Sequence, residues 1–176
     1  WWVQDAAAAL PAQLMKGVAD GGKVLDLCAA PGGKTAQLAT AGYNVTALDI
    51  APSRLQVLTE NLSRLNLKAT LVEADLLSWK SEVKFDGILL DAPCTATGTI
   101  RRHPDIPLLK SAADVTRQSD VQKKFLDRTV DLVRDSGTII YSVCSMERSE
   151  GAGQIEALLE RNPDVAIDAI APDELR

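Results

Sequence analysis

The sequence predicts an α/β fold built on a mostly parallel, doubly wound sheet. Three observations lead there. Short apolar runs alternate with helical patterns along the chain, the order expected of repeated strand–helix–strand units. The runs are continuous rather than alternating in polarity, as in strands buried on both faces. Acids, glycines and cysteines gather just past the ends of the runs, where such sheets bind ligands near a topological switch point.

The elements follow in order. Lys23–Cys28 (KVLDLC) is the first strand, and Lys34–Ala41 the first crossover helix. Asn44–Asp49 (NVTALD) is the second strand; the helix after it is expected over Ser53–Leu65, capped by Ser53 behind Pro52. Lys68–Glu73 and Phe85–Asp91 (FDGILLD) are the third and fourth strands. A helix over Val121–Arg134, a strand over Gly137–Val143 (GTIIYSV) and a helix over Ser149–Arg161 complete the pattern, with a further strand expected near Val165–Ile167. Right-handed crossovers would place Asp26–Lys34, Asp49, Asp75, Asp91–Cys94 and Cys144 along one edge of the sheet. Any one of these residues reads equally well as a turn or cap residue; the set is harder to explain by packing.

A chain of 176 residues suits one domain, 1–176, and can bury about 70% of its unfolded surface without staples. No apolar run approaches the roughly 18 residues of a membrane span. The opening WWVQD carries no basic segment before an apolar run, so no signal peptide is read; it looks internal, and flanking domains are expected. Cys28, Cys94 and Cys144 are odd in number and far apart, which argues against a disulfide framework. No pair has metal-binding spacing and His103 is the only histidine, so no metal is expected. Free thiols fit a reducing cytoplasm. The net charge of −5 counts against a nucleic-acid partner, although a local basic strip or a separate basic domain would supply the attraction.

The segment Asp26–Thr35 (DLCAAPGGKT) links the first strand to its helix. Gly32 and Gly33 permit close backbone approach, and the helix N-terminus presents free N–H groups. Gly33-Lys34-Thr35 matches the end of a phosphate-binding P-loop, but Cys28 stands where its first glycine belongs, and Pro31 has no N–H to offer. A nucleoside cofactor fits better. Asp49 follows Asp26 by about 20 residues at a strand end, the place of a ribose-binding acid. Asp75 is placed to accept from an adenine amino group. The competing readings are a turn acid at the next helix for Asp49 and a plain loop acid for Asp75.

Asp91-Ala-Pro-Cys94 and Tyr141-Ser-Val-Cys-Ser145 follow strands that can be neighbours, so both thiols can face one cleft. Buried cysteines are usually inert, whereas strand-end cysteines beside polar groups are better nucleophile candidates. Spacing alone does not rank the two. Lys34 either reaches toward Asp91 or simply sits on its helix.

On these segments the sequence resembles the RNA cytosine-5 methyltransferases, and within them the bacterial 16S rRNA branch of Sun/Fmu type. Gln4-Asp5 with its alanine-rich helix, DLCAAPGGKT, LDI at Asp49, EAD at Asp75, DAPC at Asp91–Cys94, ATGTIRRHPDI at Ala96–Ile106 and YSVCS at Tyr141–Ser145 occur in family order over nearly the whole chain. The resemblance implies a Rossmann-like S-adenosylmethionine-dependent methyltransferase acting on RNA, with 16S rRNA as the partner. It implies Cys144 as the nucleophile that adds to carbon 6 of cytosine, Cys94 as the group that aids release of the adduct, and Asp91 as the residue that holds the cytosine edge. The expected cofactor set is Cys28, Ala29, Ala30, Pro31, Gly32, Gly33, Lys34, Asp49, Arg54, Asp75 and Asp91. Arg101, Arg102 and His103 are expected to hold RNA phosphate, or to be a solvated basic turn. Thr95-Ala96 stands in place of the usual Ser-Gly, and Gly151 follows Glu150 where the family often has Asn. The family's final strands and its N-terminal RNA-selecting domain are expected to lie outside this chain. Oligomeric state is not legible, and a monomer is the expectation. The competing functions are a non-catalytic RNA-binding or ribosome-assembly module that keeps the fold, and a P-loop hydrolase. Loss of Asp91 or of either cysteine would favour the former, and all three are present.

Overall fold

A computed structural model describes residues 1–171, apart from the side chain of Lys16. Among the described residues, five strands form one all-parallel sheet in the order β3-β2-β1-β4-β5. They are β1 (Lys23–Leu27), β2 (Asn44–Asp49), β3 (Thr70–Glu73), β4 (Phe85–Asp91) and β5 (Val133–Ser142). The helices are α1 (Ala6–Gln13), α2 (Gly33–Thr40), α3 (Pro52–Leu65), the short α4 (Ile106–Leu109), α5 (Ala112–Leu132) and α6 (Ala152–Arg161). Chain order runs outward from β1 to β3, then returns to β4 on the other side of β1. The switch point therefore lies between β1 and β4.

Successive strand residues serve opposite faces. Leu25, Leu27, Leu48, Ile88 and Leu90 meet Leu126 and Leu132 of α5 and Leu158 of α6. Val24, Val45 and Leu89 meet Ala12 of α1 and Leu38 of α2, while Ala47 meets Leu55, Leu58 and Leu62 of α3. Both faces are covered, which is why the strands read as continuous apolar runs.

Several boundaries differ from the sequence expectation for physical reasons. α5 begins at Ala112, not Val121, because Ser111 and Asp114 form a capping box there. Its first ten residues bury no side chain and so carry no apolar period; burial starts at Gln122. β5 begins at Val133, across a register shift between Phe85 and Gly87 of β4. Ser53 does not cap α3: Pro52 takes the first turn, Ala51 is the cap, and the Ala51 N–H goes to Asp49 Oδ1 at 3.0 Å. α6 starts at Ala152, since Ser149 and Glu150 belong to the preceding turn. Residues 165–167 form no strand: Val165 packs against the core as a single side chain while Ile167 is exposed, so the segment buries no strand face.

Candidate active site

The carboxyl ends of β1, β2, β4 and β5, with the segment after β3, surround a cavity of about 310 Å³. Cys28, Asp49, Asp75, Asp91, Cys94 and Cys144 all line it. The carboxylates of Asp49 and Asp75 stand at one end and the two thiols at the other.

At the carboxylate end, Asp49 is almost wholly buried. Its Oδ2 accepts the Ala30 N–H at 3.1 Å and lies 3.5 Å from the Arg54 guanidinium, which also donates to the Ala30 carbonyl. Its Oδ1 accepts from Ala51. The turn reading of Asp49 is therefore realised in part, yet each oxygen keeps lone-pair capacity toward the cavity. Asp75 is exposed and accepts the Leu77 N–H at 3.0 Å, which again combines a loop role with a cavity-facing position. Ile50, Leu76 and Pro93 add apolar walls that sequence reasoning missed; the 65% exposure of Ile50 marks an unpaired apolar side chain beside the acids.

The glycine loop divides. Cys28 and Ala30 face this cavity, whereas Pro31, Gly32 and Gly33 face a separate hollow formed with Trp1, Trp2 and Val3. Ala29 is buried in the α3-facing core. Gly32 caps α2 at φ 102°, and a Cβ there would meet Leu58 Cγ at 2.9 Å, so glycine is required for packing as well as conformation. Lys34 leaves the first turn of α2 and places Nζ 2.7 Å from Asp91 Oδ2, the ion pair that the sequence left open. Asp91 Oδ1 accepts from Ser142 Oγ at 3.0 Å. Beneath them Asp26 is completely buried; Thr35 donates to one oxygen at 2.6 Å, and burial pushes its carboxyl up to about 7. Burial likewise pushes the Cys28 thiol up to about 12.

At the thiol end, Cys94 Sγ and Cys144 Sγ lie 3.4 Å apart. The hydrogen bond between them favours the Cys144 thiolate, bringing it down to about 7 against partial burial and Asp91, with help from Lys34. The same contact holds Cys94 well above the ordinary thiol range. Gly98 donates to the Cys144 carbonyl at 2.9 Å, and a Cβ at position 98 would meet that oxygen at 2.9 Å, so the two loops touch backbone to backbone. Arg101, Arg102 and His103 follow on an exposed turn, where Arg102 lies 3.7 Å from Asp5. Sequence reasoning gave Glu150 no role, yet it is buried between the cysteine loops.

The chain is 44% identical over 167 residues to ribosomal RNA small subunit methyltransferase B of Vibrio vulnificus, spanning 92% of this chain and 39% of that protein. It is 41% identical over 178 residues to the protein of the same name from Salmonella arizonae, spanning 98% of this chain and 41% of that one. It thus covers about two fifths of the length of these relatives. The structure of NSun6 from Pyrococcus horikoshii with SFG superposes at a TM-score of 0.84 with 27% identity, over 91% of this chain and 42% of that one. A methyltransferase homolog protein from Pyrococcus horikoshii superposes at 0.77 with 31% identity, over 90% and 51%. The sheet has the Rossmann-like fold of S-adenosylmethionine-dependent methyltransferases. The profile of 16S rRNA methyltransferase RsmB/F matches residues 13–175, and the chain belongs to that family.

Proposed function

We propose that this chain is the catalytic part of an enzyme that transfers a methyl group from S-adenosylmethionine to carbon 5 of a cytosine in 16S rRNA, working in the cytoplasm. The observation that carries this reading is one cavity with carboxylates at one end and a hydrogen-bonded thiol pair at the other. The names of the curated relatives support ribosomal RNA as the substrate.

The carboxylate end suits a nucleoside. Asp49 would accept from ribose hydroxyls, Asp75 from the adenine amino group, and Ile50 and Leu76 would flank the ring. The bound cofactor supplies an electrophilic methyl group. Cys144 adds its sulfur to carbon 6 of the cytosine, and the ring electrons shift to make carbon 5 nucleophilic. Asp91, held by Lys34 and Ser142, would accept from the cytosine amino group and from N3 as the ring is protonated in the adduct. Once the methyl is on carbon 5, the proton there passes to a water molecule in the open cleft, its bonding electrons re-form the carbon 5–carbon 6 double bond, and the carbon–sulfur bond breaks with its pair leaving on the Cys144 sulfur. Cys94, kept as a thiol, donates to the departing Cys144 sulfur. The target base must leave its stack to reach this site. Arg101 and Arg102, on the exposed turn after Gly98, would hold its phosphates.

A denaturing gel of labelled RNA tests the reading directly. A protease-sensitive shifted band is expected to accumulate with Cys94→Ala and to be absent with Cys144→Ala. The reverse pattern would make Cys94 the nucleophile, and no band with either variant would remove the covalent mechanism.

A further inference from the structure

The two cysteine loops come from strands β4 and β5 and are joined through one buried side chain. Glu150 is completely buried. Its Oε1 accepts the Thr95 N–H at 2.9 Å and Gln122 Nε2 at 3.2 Å. Its Oε2 accepts from the hydroxyls of Thr95 and Ser145. Thr95 follows Cys94 directly, and Ser145 follows Cys144 directly. Gln122 also donates to the Pro93 carbonyl at 2.9 Å, so both neighbours of Cys94 are held. The backbone carbonyl of Glu150 accepts the Tyr141 hydroxyl at 2.6 Å, which anchors the acid to β5.

Burying a carboxylate costs several kcal/mol unless its oxygens are satisfied, and an apolar residue of the same size would commonly serve stability as well. An acceptor-only group has a different use: it compels both hydroxyls to donate toward it. Ser145 Oγ is then free to accept the Glu147 N–H at 3.1 Å, and it also meets Thr97 Oγ1 at 3.1 Å. The backbone on the far side of both cysteines is thereby fixed.

We propose that Glu150 is a positioning residue: by holding the residue after each cysteine, it sets the 3.4 Å approach of the two sulfurs, which lets one thiol donate to the other. The proposal rests on Cys94 and Cys144 as the reacting pair, and it concerns how they are kept in register. The charged or titratable groups facing the pair are Lys34 from α2, Asp91 from β4, Tyr141 from β5 and Glu150 itself. Of these, only Glu150 bonds to both loops.

The test uses neither RNA nor cofactor, so its outcome is independent of the methylation reading. Each cysteine is alkylated with iodoacetamide across a pH series and followed by peptide mass spectrometry. In the parent, Cys144 is expected to react near neutral pH well before Cys94. Glu150→Leu, similar in size but without acceptors, is expected to slow Cys144 alkylation at pH 7 about tenfold and to move its midpoint toward that of a free thiol, near 8.5. Glu150→Gln, which keeps the heavy-atom contacts but turns one end of the group into a donor, is expected to restore only part of the rate. If Glu150→Leu does not fold, Ser145→Ala decides, since it cuts the Cys144 arm alone; a smaller shift in the same direction is expected. Parent-like Cys144 profiles in folded Glu150→Leu, or in Ser145→Ala where that variant decides, would overturn the proposal. So would equal slowing of all three cysteines.

Discussion

At the carboxylate end of the cavity, Asp49 is held by Ala51 and Ala30, two and 19 residues away. At the thiol end, Cys94 meets Cys144 across 50 residues, and Thr95 meets Glu150 across 55. The first end is the product of one strand–loop–helix unit and its neighbour, preorganised by backbone N–H groups. The second exists only when two distant strands pair and a buried acid joins their loops. Substitutions at the carboxylate end should therefore weaken binding in a graded way, whereas those at the thiol end should switch chemistry on or off.

The largest expected effect belongs to the thiol end. Removing a covalent nucleophile leaves only binding and electrostatic contributions, so Cys144→Ala should lower methyl transfer at least about a thousandfold in single-turnover assays. Its affinity for S-adenosylmethionine, measured by calorimetry, should stay within about twofold of the parent, a difference under about 0.5 kcal/mol. A comparable loss of cofactor affinity would mean that the two ends are one cooperative unit and would break the comparison.

Next comes Asp49. Asp49→Ala withdraws a buried carboxylate from the proposed ribose contact, at a cost of roughly 1.5–3 kcal/mol, or about ten- to a hundredfold in cofactor affinity. The Ala30 and Ala51 N–H groups also lose their acceptor, so the melting temperature should fall as well. Unchanged cofactor affinity in a calorimetric titration would reassign Asp49 to the turn alone.

The same contrast governs what could be read in advance. Continuous apolar runs located all five strands, and strand-end acids located the carboxylate end, because those signals are local. The start of α5 escaped because its exposed first turns have no apolar period, although Ser111 and Asp114 carried the cap signature. The facing of the glycine loop escaped too: Pro31, Gly32 and Gly33 turn toward Trp1 and Trp2 rather than the acids, a direction set by tertiary packing on Leu58. Glu150 was invisible as a clamp because none of its side-chain partners Thr95, Gln122 and Ser145 shares a motif spacing with it; they converge only through the parallel pairing of β4 and β5.

Asp26 tests what lies under the carboxylate end. Its folded-state value near 7 stands above the unfolded 3.8. Between these values the folded protein binds more protons than the unfolded chain, so stability falls as pH rises from about 4 to 7 and levels off above. Asp26→Asn keeps an acceptor for Thr35 without the charge. It should be more stable than the parent at pH 8, by a margin that shrinks toward pH 4. Parallel pH profiles in chemical denaturation would show that Asp26 is not titrating there.

The smallest expected effect compares one backbone feature found at both ends. Cys28, at φ 58°, and Ala96, at φ 60°, are non-glycine residues in the left-handed region, each just beyond a reactive strand end. That conformation costs an L-residue about 1–2 kcal/mol, while glycine loses about 0.5–1 kcal/mol more chain entropy on folding. At Cys28 the strain is offset by packing of the side chain on the core beside Leu27 and Leu48, so glycine there should give no gain. Ala96 has only a half-buried methyl to lose, and its carbonyl keeps both Thr99 bonds, from N–H and from Oγ1, at 2.9 Å. Ala96→Gly should therefore stabilise the protein by about 0.5–1 kcal/mol, which for a chain of this size raises the melting temperature by roughly 1–4 °C. Cys144 alkylation should be unchanged, because the Glu150 contacts to Thr95 and Ser145 do not involve residue 96. A lower melting temperature would mean that unfolded-chain entropy outweighs the relieved strain. Slower Cys144 alkylation in a stabilised Ala96→Gly would mean that the stiffness of alanine at this turn, and not the buried acid alone, keeps the two sulfurs in register.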